Sequence, residues 1–247
     1  MRLAPAALLA GLAASCSRHA PPRARPTMPM RVLDADEVRG SYGEVRAIVR
    51  GHGHSCALLD EGSVRCWGYN DKGQLGFTST EQCHLIEGLE FPCTSRPTVV
   101  PGLSRVKLIA LGASHTCALL EDETVRCWGD DALGQLGDGA RPANEHSSAP
   151  ALVPGLAGIV YVAAGADHTC ALTHDWRVLC WGRGTDGALR SPPSHDVCFG
   201  IDSRIVCTRS PTLVPGLPSV GHFMLGEDVT CVFAHDGTSR CWRRDDD

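Results

Sequence analysis

Apolar and polar positions alternate along this chain in short runs bounded by Gly, Pro, Asp and Ser, and the same set of runs keeps returning. The lead-in runs are Val45 to Val49, Val106 to Leu111, Ile159 to Ala164 and Val220 to Leu225, followed by Gly51, Gly112, Gly165 and Gly226. The most regular unit comes next, His54-Ser55-Cys56-Ala57-Leu58 through Val64-Arg65-Cys66-Trp67-Gly68. It recurs from His115 to Gly129 and from His168 to Gly182, and in worn form from Thr230 to Trp242. After Cys-Trp-Gly comes a glycine-rich turn, Gly73-Gln74-Leu75-Gly76 and Gly134-Gln135-Leu136-Gly137, degraded to Gly187-Ala188-Leu189-Arg190 in the third copy. Each full copy closes alike, on Val100-Pro101-Gly102-Leu103, Val153-Pro154-Gly155-Leu156 and Val214-Pro215-Gly216-Leu217. Short alternating strands, frequent turn residues and a long period predict a β-propeller or solenoid, not a helical array.

Within the regular unit, each copy reads Cys-x9-Cys. A turn at Asp60-Glu61-Gly62, with Gly where a left-handed residue is wanted, sets Cys56 opposite Cys66 and Leu58 opposite Val64. Side chains alternate faces along a strand, so these four share one face. Opposed residues in an antiparallel ladder lie within disulfide range. The other copies give Cys117, Leu119, Val125, Cys127; then Cys170, Leu172, Val178, Cys180; then Cys231, Phe233, Ser239, Cys241, where Ser239 breaks the apolar stripe. Zinc is the rival for paired cysteines near a histidine, but its usual close pairs, C-x2-C, are absent. Hairpin cystines are therefore expected, each contributing roughly 2.5–3 kcal/mol in the chain-entropy model.

The spacing is uneven. From Cys56 to Cys117 is 61 residues, from Cys117 to Cys170 is 53, and from Cys170 to Cys231 is 61. The two long copies carry an extra loop with its own cysteine pair, Cys83 with Cys93 and Cys198 with Cys207, paired here by proximity alone. The loops, Glu81 to Ser95 and His195 to Arg209, enter at one phase of the repeat. Insertions at a fixed phase project from one face, often the binding face.

Composition narrows the setting. The 247 residues carry a formal net charge of −5 and no long basic run, which disfavours nucleic-acid binding. Residues 1–16 read as a targeting segment: Arg2, then an apolar run from Leu3 to Ala14 too short to span a bilayer. Ala13-Ala14-Ser15-Cys16 is similar to the bacterial lipoprotein signal, which implies acylation at Cys16, with Ala13 departing from its usual leucine. Of 13 cysteines, setting Cys16 aside leaves 12, or six pairs. Residues 17–30, with Pro21, Pro22, Pro26 and Pro29, read as an extended tether. The propeller-repeat domain is placed at 31–247, with repeats at about 45–105, 106–158, 159–219 and a partial 220–247.

The pattern G-x-x-H-[ST]-C-A-L, V-R-C-W-G, G-Q-L-G and P-x-x-V-P-G-L resembles the regulator of chromosome condensation repeat, from Val45 to Trp242. The resemblance implies an all-β protein of propeller blades, about one per repeat, and the cysteines look like those of a secreted bacterial form. Seven blades commonly close the ring in that family. Three full repeats and a partial fourth therefore predict an incomplete or open arc, its exposed ends inviting a second copy or a partner. The N-terminal stretch Arg31 to Arg39 is expected to offer a strand beside the incomplete fourth blade. His54, His115 and His168 match a family position and are expected to bond backbone within the blade; Trp67, Trp128, Trp181 and Trp242 are expected to pack between strands.

The animal family member acts in nucleotide exchange on chromatin, through loops and a basic tail that have no counterpart here, so that activity is not expected. The first functional expectation is a non-catalytic, extracytoplasmic protein-binding module, lipid-anchored at Cys16 or otherwise secreted, with no cofactor, no metal and no nucleic acid. The alternative is an inhibitor of a secreted or periplasmic enzyme, since a bacterial propeller of this repeat type inhibits β-lactamase. Tyr69, Phe77, Phe91, Trp176 and Phe199 are the candidate aromatic anchors. No G-x-S-x-G, H-E-x-x-H or P-loop supports an enzyme.

Overall fold

In the first three blades the repeated cystine hairpin forms the middle of an antiparallel sheet, and in the fourth it forms the outer pair of strands. The structure is a computed structural model, which describes residues 35–86, 89–139, 146–184, 197–199, 204–227 and 229–243. Blade 1 is built from β1 (Val45–Arg50), β2 (His54–Leu59), β3 (Val64–Tyr69), β4 (Glu81–Ile86) and β5 (Leu89–Val99), in the order β1-β2-β3-β5-β4. Blade 2 takes β6 (Val106–Leu111), β7 (His115–Leu120), β8 (Val125–Asp130) and β9 (His146–Leu152) in sequence. Blade 3 repeats the first plan with β10 (Ile159–Ala164), β11 (His168–Thr173), β12 (Val178–Arg183), β13 (Val197–Phe199) and β14 (Arg204–Leu213), ordered β10-β11-β12-β14-β13. Blade 4 has β15 (Val220–Leu225), β16 (Val229–Ala234) and β17 (Ser239–Arg243).

The hairpin register follows the cysteine spacing. Cys56 faces Cys66 and Leu58 faces Val64 across β2 and β3, and the same pairing holds in the other three blades. All six cystines are formed: 56–66, 83–93, 117–127, 170–180, 198–207 and 231–241. Every innermost strand also carries an irregularity near its start, at Val45/Ala47, Val106/Leu108, Ile159/Tyr161 and Val220/His222. A bulge there adds local twist and turns the strand onto its neighbour.

The core lies between blades. The stripe Cys56, Leu58, Val64 and Cys66 packs, with Leu75, Val100 and Leu103, on Val106, Ile109, Ala118 and Trp128 of blade 2. Blade 2 presents its own stripe to Ile159, Val162, Ala171 and Trp181, and blade 3 to Val220, Phe223, Val232 and Trp242. Blades 2 and 3 thus bury one face forward and the other backward, and among the described residues the sheets form an open arc without lateral closure.

The two ends of the arc differ. The backward face of blade 1, Ala57, Leu59 and Trp67, is covered by α1 (Ala35–Tyr42) through Val38, which is fully buried, and Tyr42. Of the strand expected over Arg31 to Arg39, residues 35–39 are helical instead and lie at the opposite end of the arc from blade 4, while residues 31–34 fall outside the described residues. Val38 and Tyr42 are four apart, which puts them on one helical face. Gly43, at φ 107°, stops the helix with its N–H donating to the Arg39 carbonyl at 3.2 Å. Arg65 lies over the Tyr42 ring, 4.5 Å from its centroid. The forward face of blade 4 has no such cover among the described residues: Cys241 is exposed, Cys231 and Phe233 are half-buried, and Met224 is 56% exposed.

Candidate interaction face

The loops at one end of the strands join β1 to β2 and β3 to the outer strands, and this end carries both insertion hairpins. Beneath it runs a repeated latch between blades. His54 Nε2 donates to Thr116 Oγ1 of the next blade at 2.8 Å and His115 Nε2 to Thr169 Oγ1 at 2.9 Å, and His168 Nε2 lies in hydrogen-bonding contact with Thr230 Oγ1 at 3.0 Å. Thr116 Oγ1 in turn donates to the Gln74 carbonyl at 2.9 Å, and that oxygen also accepts from Trp128 Nε1 at 2.9 Å. Thr169 and Trp181 meet the Gln135 carbonyl in the same way. Because the threonine hydroxyl spends its proton on the carbonyl, the histidine must be the donor at Nε2. The expectation that these histidines bond backbone within a blade is corrected for His54 and His115: the partner of each is a side chain, and it belongs to the next blade. Two of the tryptophans likewise act between blades as well as packing.

Glycines make the latch fit. A Cβ on Gly112 would stand 2.1 Å from the His115 ring and 2.6 Å from the Gly165 carbonyl; Gly51 and Gly165 are equally confined. Gly76 and Gly137 admit the next blade's tryptophan, since a Cβ on them would stand 2.9 and 2.6 Å from its Nε1. His54 and His115 keep an unpartnered Nδ1, and burial pushes the pKa of each down to about 3, with neighbouring histidine charge adding to the effect. They are neutral structural groups. Among the described residues, no group of His, Cys, Asp and Glu is arranged to hold a metal.

Toward the axis, Arg50, Gly51 and His52 meet their counterparts in the other blades around a cavity of about 220 Å³. Ala113 donates its N–H to the Ala166 carbonyl and Ala166 to Glu227, both at 3.0 Å. His52 Nε2 and Glu227 Oε1, 2.8 Å apart, bridge the first and last blades across this axis.

The insertion hairpins share a phase, each leading back into an outer strand. In blade 1, Phe91 on β5 faces Tyr69 at the end of β3, ring centroids 6.4 Å apart. In blade 3, the base of the insertion sits against the preceding blade: Leu133 packs on the Cys198–Cys207 bridge, and Gly139 donates to the Arg209 carbonyl at 3.0 Å. Buried Asp131 lies 4.0 Å from Arg209, and burial raises its pKa to about 7 despite the Leu136 N–H that it accepts. Of the aromatic candidates, Tyr69 and Phe91 come together on this face. Phe77 packs against the core between blades 1 and 2. Trp176 sits at the other end of the strands, in the β11–β12 turn, against His235 of blade 4 at 4.6 Å. The Phe199 side chain and Cys16 lie outside the described residues.

Stacked antiparallel sheets of three to five strands, with inner-to-outer strand order and latches between neighbours, define a β-propeller repeat protein. Profiles of the Regulator of chromosome condensation (RCC1) repeat match residues 61–119 and 122–172, and a second form matches 45–74, 106–135 and 159–188. The chain belongs to the RCC1 repeat family. It is 36% identical over 142 residues to protein pim1 of Schizosaccharomyces pombe, covering 52% of this chain and 25% of that one. Its identity to the ultraviolet-B receptor UVR8 of Arabidopsis thaliana is 31% over 203 residues, covering 64% and 46%. In fold it resembles yeast RCC1 (Prp20), solved bound to Kap60, with a TM-score of 0.66 at 24% identity, covering 81% of this chain and 44% of that one. Human WBSCR16 gives a TM-score of 0.62 at 21% identity, covering 81% and 48%. The chain spans less than half the length of each of these proteins.

Proposed function

We propose that the chain is a non-catalytic, extracytoplasmic protein-binding module, tethered through a lipid on Cys16. One observation carries the reading. The His–Thr contact recurs at all three blade junctions and the hairpin cystine in all four blades, whereas the loops at one end differ and carry the two cystine-pinned hairpins. A constant frame with variable loops on one face suits recognition. Six cystines fit an oxidising compartment. Among the described residues, no helix is long and apolar enough to cross a membrane, so attachment would rest on the anchor. The face of blade 4 that is uncovered among the described residues supports self-association.

Affinity capture from envelope extract with the full chain tests the module, and retention of a partner that tolerates high salt and mild detergent is the expected result. Labelling with a clickable palmitate tests the anchor, with Cys16→Ala losing the label. The inhibitor reading gains from the half-buried Tyr69–Phe91 pair, which joins the end of β3 to the insertion hairpin, because aromatics anchor such interfaces. It requires that the captured partner be an enzyme whose turnover falls on binding.

A further inference from the structure

A cavity of about 320 Å³ opens between blades 1 and 2 on the insertion face, lined by His52, Tyr69, Asp71, Gln74, Phe91 and Ser114. Its walls depart from the repeat at two positions together. The residue after Cys-Trp-Gly is Tyr69 here but Asp130 and Arg183 in blades 2 and 3. The residue before the latch histidine is Gly53 here but Ser114 and Asp167 there. These departures are coupled by space, since a Cβ on Gly53 would lie 2.4 Å from the Tyr69 ring. In blade 3 the same two positions form an ion pair, with Arg183 Nη1 3.3 Å from Asp167 Oδ2. In blade 2, Asp130 is met by Lys72 at 3.8 Å. Blade 1 keeps a carboxylate, Asp71, held by Gln74 Nε2 on Oδ1 at 3.0 Å, but with no basic partner among the described residues. The Tyr69 and Ser114 hydroxyls have no hydrogen-bond partner among the described residues either.

Building on the protein-binding reading above, we propose that this cavity receives an arginine side chain presented by a partner protein. The two aromatic rings offer faces for a planar cation. The free oxygen of Asp71 accepts a charge-assisted bond from the guanidinium, and the two hydroxyls can accept its remaining N–H groups. A lysine ammonium could meet the carboxylate but has no plane to lay on a ring. The Tyr69 hydroxyl stays neutral, its pKa raised first by burial and then by the Asp71 charge. The Arg183–Asp167 pair supplies the same chemistry from within the chain, and blade 1 leaves it to be supplied from outside.

The test is a titration of the full chain with N-acetyl-arginine N-methylamide, followed through the ring proton resonances of Tyr69 and Phe91. The citrulline analogue serves as the uncharged isostere. Saturable millimolar binding is expected, weaker by about tenfold for citrulline and by about tenfold for arginine on Asp71→Asn. Phe91→Ala carries the same expectation should Asp71→Asn fail to fold, and Glu121→Gln, at the other end of the strands, leaves binding unchanged. Absent saturation, or equal binding of arginine and citrulline, overturns the proposal. So does a captured partner whose retention is unaffected by Asp71→Asn and Phe91→Ala, an outcome that leaves the module reading standing. Saturable arginine binding without any captured partner upholds the pocket and removes the module reading instead.

Discussion

At the scale of single residues, the latch histidines tie stability to acid. His54 and His115 have a folded pKa of about 3 against 6.5 when free. The unfolded chain therefore binds more protons between those values, so their contribution is complete above about pH 6.5 and is lost as pH falls toward 3. Asp131 acts in the opposite sense, because its pKa is raised in the fold. The comparison that isolates the histidine is between wild type and His115→Asn: denaturant melts from pH 7 to 4 should fall less steeply with acid in the variant. At neutral pH the variant should lose about 2 kcal/mol, from the missing bond to Thr169 and the smaller side chain. Gly112→Ala should cost about 3 kcal/mol or more, because its Cβ meets both the His115 ring and the Gly165 carbonyl. The sequence motif G-x-x-H announced a fixed relation between these positions. It did not reveal that the glycine makes room for its own histidine, because the reason is the neighbouring blade, more than 50 residues away in the chain.

At the scale of elements, local pairings were legible and distant ones were not. The cystine register could be read because Cys56 and Cys66 lie ten apart and a three-residue turn between them leaves one pairing. The same turn exposes a local cost elsewhere. Its left-handed position is Gly62 and Gly237 in two blades but Glu123, at φ 65°, and Trp176, at φ 62°, in the others. Both side chains reach the turn of the next blade, Glu123 to His174 at 2.7 Å and Trp176 to the ring of His235. An exposed pair of that kind is worth about 0–1 kcal/mol, and the left-handed backbone costs a non-glycine residue about 1–2 kcal/mol. Glu123→Gly should therefore raise stability by about 0.5–1 kcal/mol in urea melts. Helix α1 escaped because alternation was carried too far toward the N-terminus. Val38 and Tyr42 are the apolar positions of the helix that pack on the blade among the described residues, and two apolar positions four apart make a thin helical signal. Burying an acid there should be decisive: Val38→Asp is expected to cost about 3 kcal/mol and to uncover Trp67, read as increased tryptophan exposure in acrylamide quenching.

At the scale of the whole molecule, the two ends of the arc bear on assembly. A head-to-tail ring would lay the forward face of blade 4 on the backward face of another copy's blade 1, and α1 occupies that face. The forward face of blade 4 remains, with Met224, Phe233 and the 231–241 cystine, and β17 has no outer partner strand among the described residues. In the first three blades the equivalent cysteines are essentially fully buried, so this face holds the chemistry of an interior. Its stripe is also interrupted by Ser239, which makes it a weaker contact than those between blades. A two-fold contact through these faces closes on itself after two copies. The expected result in sedimentation equilibrium is thus a monomer–dimer exchange without larger species. Phe233→Glu should hold the chain monomeric by placing a charge in the contact. Val38→Asp should do the reverse, adding higher oligomers as the second end is uncovered. A wild type that stays monomeric at the highest attainable concentration would mean that the blade 4 face is closed by something other than a second copy.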